Sequence, residues 1–330
     1  MDHLHTKSGW SIPMKTAAIL LMAGGLQALS LAWPVDGTFK GQSQGWLQYA
    51  SMLALAFYVD RSESAKQAFA SAWMFSFAWL IGSIWWLFIS MNRYGGLAVP
   101  LAALAVILMA MGLAIFYGLA AALYHRVCNK QMSALAKAGA FAAVWVLAEM
   151  VRGTLWTGFP WGAVGYAHVD GVLRFWAPWV GVYGLCAMVA FFAMALIAER
   201  QDRRPPARTA QMVALAIGVV IAYAGFSLPS RMTADTHLSA QPLRVTLLQG
   251  NIPQDLKFGE GVNLALRGYR DALLSSASDL TVTPETAIPL IQQQMPGHYW
   301  RDLETHFSKG QQAALIGLPL AMRSEQGQLQ

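Results

Sequence analysis

Leu243-Arg-Val-Thr-Leu-Leu-Gln249, closed by Gly250-Asn251-Ile252-Pro253, and Asp279-Leu-Thr-Val-Thr283, closed by Pro284-Glu285-Thr286-Ala287-Ile288-Pro289, are the stretches whose reading decides the fold. Each is a short apolar or β-branched run ended by turn residues, the pattern of a strand. The second leaves the Glu285 carboxylate at the carboxyl end of its strand, the end of an open α/β sheet where ligands collect. Between the two runs, Val262, Leu266, Tyr269 and Leu273 fall on one helical face while Arg267, Arg270 and Asp271 fall on others. A second helix is expected over 297–308 and a third strand over 313–317. Strand, helix, strand, helix, strand implies a mostly parallel sheet with right-handed crossovers.

Upstream of this segment the chain changes physical regime. Hydrophobic residues make up 56% of the sequence and charged residues 12%, about half the charge of an ordinary soluble domain. A bilayer core takes about 20 apolar residues as helix, and by that ruler seven spans are expected: 17–33, 46–59, 69–90, 97–123, 138–151, 176–198 and 210–228. The second and fifth are short. Lys7, Lys15, Arg61, Lys66, Arg126, Lys130, Lys137, Arg200, Arg203, Arg204 and Arg208 fall on one side, and Lys40, Arg93, Arg152 and Arg174 on the other. The positive-inside rule then puts the N-terminus in the cytoplasm and everything after Ser230 outside. The formal net charge of +6 therefore reflects membrane orientation, not nucleic-acid binding. Residues 229–242 read as a linker, rich in turn and polar residues.

Two groups of words match a family. Gln249-Gly250-Asn251-Ile252-Pro253-Gln254 followed by Pro284-Glu285-Thr286-Ala287-Ile288-Pro289 resembles the start of the nitrilase-like domain of the apolipoprotein N-acyltransferases, bacterial membrane enzymes. Thr157-Gly158-Phe159-Pro160-Trp161, with Gly165-Tyr166, resembles that family's membrane-domain signature. The fold class implied is a multi-pass α-helical membrane domain over 1–228, followed after the linker by the N-terminal part of an extracytoplasmic nitrilase-like α/β domain, an α-β-β-α sandwich, over 243–330. The location implied is the bacterial inner membrane. The implied reaction takes an acyl chain from a phospholipid donor onto a cysteine as a thioester, then onto the α-amine of a diacylglyceryl-cysteine lipoprotein. No cofactor and no metal are implied.

Nitrilase-like enzymes combine a Glu base, a Lys and a Cys nucleophile: the base takes the thiol proton and the ammonium helps to stabilise the charge developing on the carbonyl oxygen. By resemblance Glu285 is the base. Its bland alternative is a surface carboxylate at a strand end. Lys309, in Ser308-Lys309-Gly310, reads as a solvated turn lysine. Cys128 and Cys186 both precede the α/β segment, and the family's Lys and Cys lie C-terminal to the portion covered by this chain, which is therefore expected to be truncated and inactive by itself. Phe258 stands where the family usually has Trp, and Thr283 where a larger apolar residue is common. Phe258 and Trp161 are the candidate substrate-binding residues.

The aromatics near predicted span ends, among them Trp85, Trp86, Tyr94, Trp156, Trp161 and Tyr166, read either as an interfacial belt or, over 151–176, as a segment re-entering the membrane surface to shape a lipid-facing mouth. Glu149 and Arg152 are expected at a span end, reaching headgroups or pairing locally. His168 reads as a loop histidine, since no partner stands at metal spacing. Two other classes stay open: a multi-pass binding or transport protein with a small α/β appendage, and a fragment completed by a second chain.

Overall fold

A computed structural model describes residues 12–129, 131–201, 242–253, 256, 257, 259, 261–310 and 312–321. These residues fall into two compact units, one before and one after the boundary at 236 and 237.

The first unit is helical: α1 (Met14–Leu31), α2 (Gly45–Asp60), α3 (Ala65–Ile84), the short α4 (Trp86–Ile89) running into a π turn (Ser90–Tyr94), α5 (Val99–Val127), α6 (Ala134–Thr154) and α7 (Ala177–Gln201). Among the described residues, five helical stretches are long and apolar enough to cross a membrane: 14–31, 65–84, 99–127, 134–154 and 172–198. They correspond to five of the seven expected spans. The expected second span is a helix, but of 16 residues, about 24 Å at 1.5 Å per residue and short of a ~30 Å hydrocarbon core. The expected seventh span and residues 229–241 of the linker lie outside the described residues.

The boundaries of the others follow from capping and from tertiary partners. The Ser64 hydroxyl accepts from the Gln67 amide to start α3, and Ser133 accepts from Ala136 to start α6, each at 3.2 Å. Helix α6 is longer at both ends than its apolar run: Arg152 near its end is paired with Glu149 at 2.8 Å, and Lys137 near its start is neutralised by Asp60 at 3.3 Å, which also accepts from the Tyr124 hydroxyl at 2.8 Å. That cluster ties the end of α2 to α5 and α6. Helix α7 bends at Gly181, whose φ of 64° is open to glycine at little cost.

With lipid tails as apolar as the side chains, helices associate through close packing of small residues. Gly24 of α1 lies directly over the Phe75 carbonyl of α3, and one turn on Ala28 meets Gly82, so small residues four apart on each helix bring the two backbones together. Behind this seam Phe75, Trp79, Tyr117, Phe141 and Trp145 form a buried aromatic stack with ring centroids 4.8 to 6.5 Å apart.

The second unit is a three-stranded parallel sheet in the order β1 (Val245–Leu247), β2 (Leu280–Val282), β3 (Ala313–Leu315), in register Val245 to Leu280 to Ala313. Helices α8 (Gly261–Ser275) and α9 (Gly297–Phe307) touch each other and share one core, in which Leu266, Leu273, Ile288, Tyr299 and Leu303 pack with Leu248, Ala314 and Ile316. The opposite face is bare: Leu247 is 76% and Leu315 63% exposed. The parallel sheet of the sequence reading is present. Of the expected two-sheet sandwich, the described residues contain one sheet and one helical layer.

The seam between α1 and α3 can be tested by size. Gly24→Ile forces a side chain into a backbone carbonyl and is expected to destabilise the bundle by about 1–3 kcal/mol. Gly25→Ile, at a position where an added Cβ meets nothing within 4 Å, is expected to leave the melting temperature in detergent nearly unchanged.

Candidate active site

Because the strands run parallel, their carboxyl ends lie together, and the residues leaving them form one edge. From β1 the chain passes through Gly250, whose amide donates to the Tyr269 hydroxyl at 3.0 Å, into Asn251 at φ 48°. From β2 it passes through Thr283 and Pro284 to Glu285, which is exposed, and then to Thr286 at φ 51°. Asn tolerates the left-handed region, whereas a β-branched residue there is a genuine outlier, and such outliers cluster at functional turns. From β3 it passes to Gly317. Among the described residues no hydrogen bond or ion pair engages the Glu285 carboxylate, leaving it available to accept a proton from a ligand or from another protein group. Ala287 and Ile288 behind it are buried, the former against Ala265 and Tyr269.

A cavity of about 300 Å³ opens beside the same edge, between Leu248, Gln249, Gly250 and Ile252 on one wall and Leu264, Gly268, Tyr269 and Ala272 of α8 on the other. Glu285 does not line it. Phe258 lies outside the described residues. Lys309 sits in the exposed turn before β3, the amino end of a parallel strand, so a strand's length of roughly 10 Å separates its end of the sheet from the edge carrying Glu285. A solvated lysine, as expected from sequence, is what the turn provides.

In the first unit Trp161 is 56% exposed and its ring tilts against Phe159 at 5.2 Å. The loop carrying it is held from below by Arg152. Of the two sequence expectations for this pair, the structure corrects headgroup contact and bears out local pairing: Glu149 is 0% and Arg152 2% exposed. Arg152 Nη2 meets Glu149 Oε2 at 2.8 Å, Nε donates to the Tyr117 hydroxyl at 2.8 Å, and Nη1 donates to the carbonyls of Phe159 at 2.6 Å and Trp161 at 2.8 Å. The tight path of that loop needs Gly158 at φ 69°, where a side chain would strike the Gly153 carbonyl. Sequence reasoning missed this hub. Its one visible signal was two opposite charges three residues apart inside an apolar run. Cys186 joins the same cluster, its thiol donating to Glu149 Oε1 at 3.8 Å, enclosed by the helices of its own unit; Cys128 follows α5.

His168 is likewise buried, 1% exposed, in a 3₁₀ turn (Val164–His168) that caps the start of α2, with its ring edge-on to Tyr49 at 5.4 Å. Burial pushes its pKa down to about 4.

A bundle of membrane-length helices with a glycine-aromatic loop at one end, followed by a parallel α/β unit offering a carboxylate at a strand end, defines a polytopic membrane protein with an enzyme-like appendage. Residues 23–195 match the family described as apolipoprotein N-acyltransferase N-terminal domain, and the chain belongs to that family. It is 43% identical over 325 residues to an apolipoprotein N-acyltransferase of Verminephrobacter eiseniae, covering 94% of this chain and 58% of that protein. Against the protein of the same name from Ralstonia nicotianae the figures are 38% identity, 82% and 51%, and against that of Pseudomonas putida 33% identity, 96% and 59%. The chain thus spans a little over half the length of these relatives.

Two measurements probe the first unit. Arg152→Gln leaves Glu149 buried and uncompensated and strips two loop carbonyls of their donor, and is expected to cost about 3–5 kcal/mol, read as a lowered melting temperature in detergent. The His168 pKa is depressed below the unfolded value near 6.5, so its contribution is complete above pH 6.5 and is lost as pH falls toward 4, by about 1.4 kcal/mol per unit. The melting temperature should therefore drop between pH 6.5 and 4.5, with a shallower slope in His168→Gln.

Proposed function

We propose that this chain supplies the membrane unit and the base-bearing part of an apolipoprotein N-acyltransferase. The observation that carries the reading is Glu285, exposed on a strained turn at the carboxyl end of the middle parallel strand, in a chain whose membrane unit belongs to that family. Relatives bearing the same name match nearly the whole of it, the α/β unit included. The α/β unit is read as part of a nitrilase-like domain, with its bare sheet face as the surface against which a second sheet stacks.

In the proposed reaction Glu285 accepts the proton of a cysteine thiol. The thiolate attacks an ester carbonyl of a phospholipid, and the lysophospholipid leaves with a proton on its oxygen. The α-amine of a diacylglyceryl-cysteine lipoprotein then attacks the thioester, forming the amide and returning the thiol. Both substrates live in the membrane, which gives a physical reason for joining this chemistry to a helical bundle: acyl chains are already concentrated at the headgroup plane. Exposed aromatic and apolar residues of the segment after α6, Trp156, Trp161, Tyr166, Val169 and Val172, fit a mouth at that plane, with Trp161 as its candidate substrate-binding side chain. The charge distribution supports an N-terminus in the cytoplasm and residues after Ser230 in the periplasm, in the bacterial inner membrane.

Both cysteines belong to the first unit, and Cys186 is buried there, so these 330 residues are expected to give no transfer by themselves. Fused to the remaining segment of the Verminephrobacter eiseniae relative, they are expected to transfer a labelled acyl chain from phosphatidylethanolamine vesicles to a synthetic diacylated lipopeptide. Glu285→Gln in that fusion should lower the rate at least about a hundredfold. Transfer by the 330-residue chain alone, or an unimpaired Glu285→Gln fusion, would overturn the proposal.

A further inference from the structure

Resting on the reading of Glu285 as the base, we propose that Thr283 is a positioning residue for that carboxylate, acting through a staple closed on Gly317. The ladder between β2 and β3 continues past its last regular pair through the Thr283 amide, which donates to the Leu315 carbonyl at 2.9 Å. One step further the Gly317 amide meets the Thr283 side-chain hydroxyl oxygen at 2.9 Å. The same hydroxyl points its proton to the Pro284 carbonyl at 3.5 Å, and that carbonyl also accepts from Ala287 at 3.2 Å. Gly317 then returns the connection: its carbonyl accepts from the Ile288 amide at 3.2 Å. The six residues from Thr283 to Ile288 are thus pinned at both ends to a single glycine, with Thr283 itself only 6% exposed.

Two further features tie the staple to Glu285. Gly317 has no room for a side chain, because a Cβ there would run into the Pro284 carbonyl and stand 3.0 Å from the Glu285 Cα; the segment leaving β3 therefore passes directly against the backbone of Glu285. Within the staple Thr286 holds φ at 51°, a conformation a β-branched residue keeps only when its surroundings impose it. An apolar residue at 283 could fill the space but could not accept from the Gly317 amide, which would be left unpaired next to the turn. The hydroxyl is what lets this turn carry a carboxylate at a fixed place with no bond to the carboxylate itself.

The test uses the fusion described above, with separate kcat and KM values for the phosphatidylethanolamine donor and the lipopeptide acceptor, and with amide exchange at Gly317 and Ile288. Thr283→Val, nearly isosteric and lacking the hydroxyl, is expected to lower kcat by about tenfold to a hundredfold at unchanged KM, as misplacing a catalytic group does, and to speed Gly317 exchange at least about fivefold. Thr283→Ser, which keeps the acceptor, is expected to restore both. Thr286→Gly frees the turn without touching the core, and is expected to lower kcat several-fold at an undiminished melting temperature. If Glu285→Gln transfers normally, the reading of the base has failed. If Glu285→Gln is inactive while Thr283→Val keeps kcat, or Thr283→Ser is as impaired as Thr283→Val, or Thr286→Gly turns over normally, the staple is not a positioning device.

Discussion

The Arg152 guanidinium is enclosed where bulk water cannot reach it, so its N–H groups need partners in protein. Four of the five find them, in Glu149, Tyr117, Phe159 and Trp161, and together these contacts dictate one end of the bundle. The last turn of α6 is locked to α5, and the glycine-aromatic loop leaves from a fixed point instead of swinging from a helix end. A comparable cluster, Asp60 with Lys137 and Tyr124, holds the other end of α6, and the aromatic stack fills the space between. Helix α6 is thus tied at both ends by charge and along its length by shape. Buried ion pairs add little net stability compared with apolar packing; here the pair earns its place by specifying where a loop begins.

The second unit solves a related problem with neutral groups. A parallel sheet gathers its carboxyl ends without effort, but the turns leaving those ends have lost the ladder that fixed them. Between Thr283 and Ile288 the loss is made good by one hydroxyl and by the carbonyl and amide of one glycine, while among the described residues the carboxylate of the catalytic candidate engages no structural bond. A base engaged in holding its own loop would be a poorer base. In both units the residue expected to meet substrate, Trp161 or Glu285, is exposed, and the group that places it is buried.

The coarse architecture could be read from the sequence because it rests on local signals. Apolar length marked five of the membrane helices, and turn residues bounded all three strands; Val262, Leu266, Tyr269 and Leu273 declared the inner face of α8 by their spacing. Misreadings arose where the deciding partner is distant along the chain. The start of α6 lies outside its apolar run because Lys137 is neutralised by a residue 77 positions away. For Glu149 and Arg152 the sequence leaves headgroup contact and local pairing both open, because nothing nearby predicts the Tyr117 hydroxyl, 35 positions upstream. Thr283 was visible only as a departure from the family pattern. Its purpose depends on Gly317, 34 residues later on a different strand, and no local pattern links the two.

What the account asserts most boldly is that the carboxylate at 285 faces the outer side of the membrane. A single cysteine at that exposed position, in a chain with Cys128 and Cys186 changed to Ser and Ala, reports its side directly when a membrane-impermeant maleimide is applied to cells with intact inner membranes. The proposed topology predicts full modification before lysis, unchanged by later disruption of the cells. Modification that appears only after the inner membrane is broken would place the residue in the cytoplasm and contradict the account.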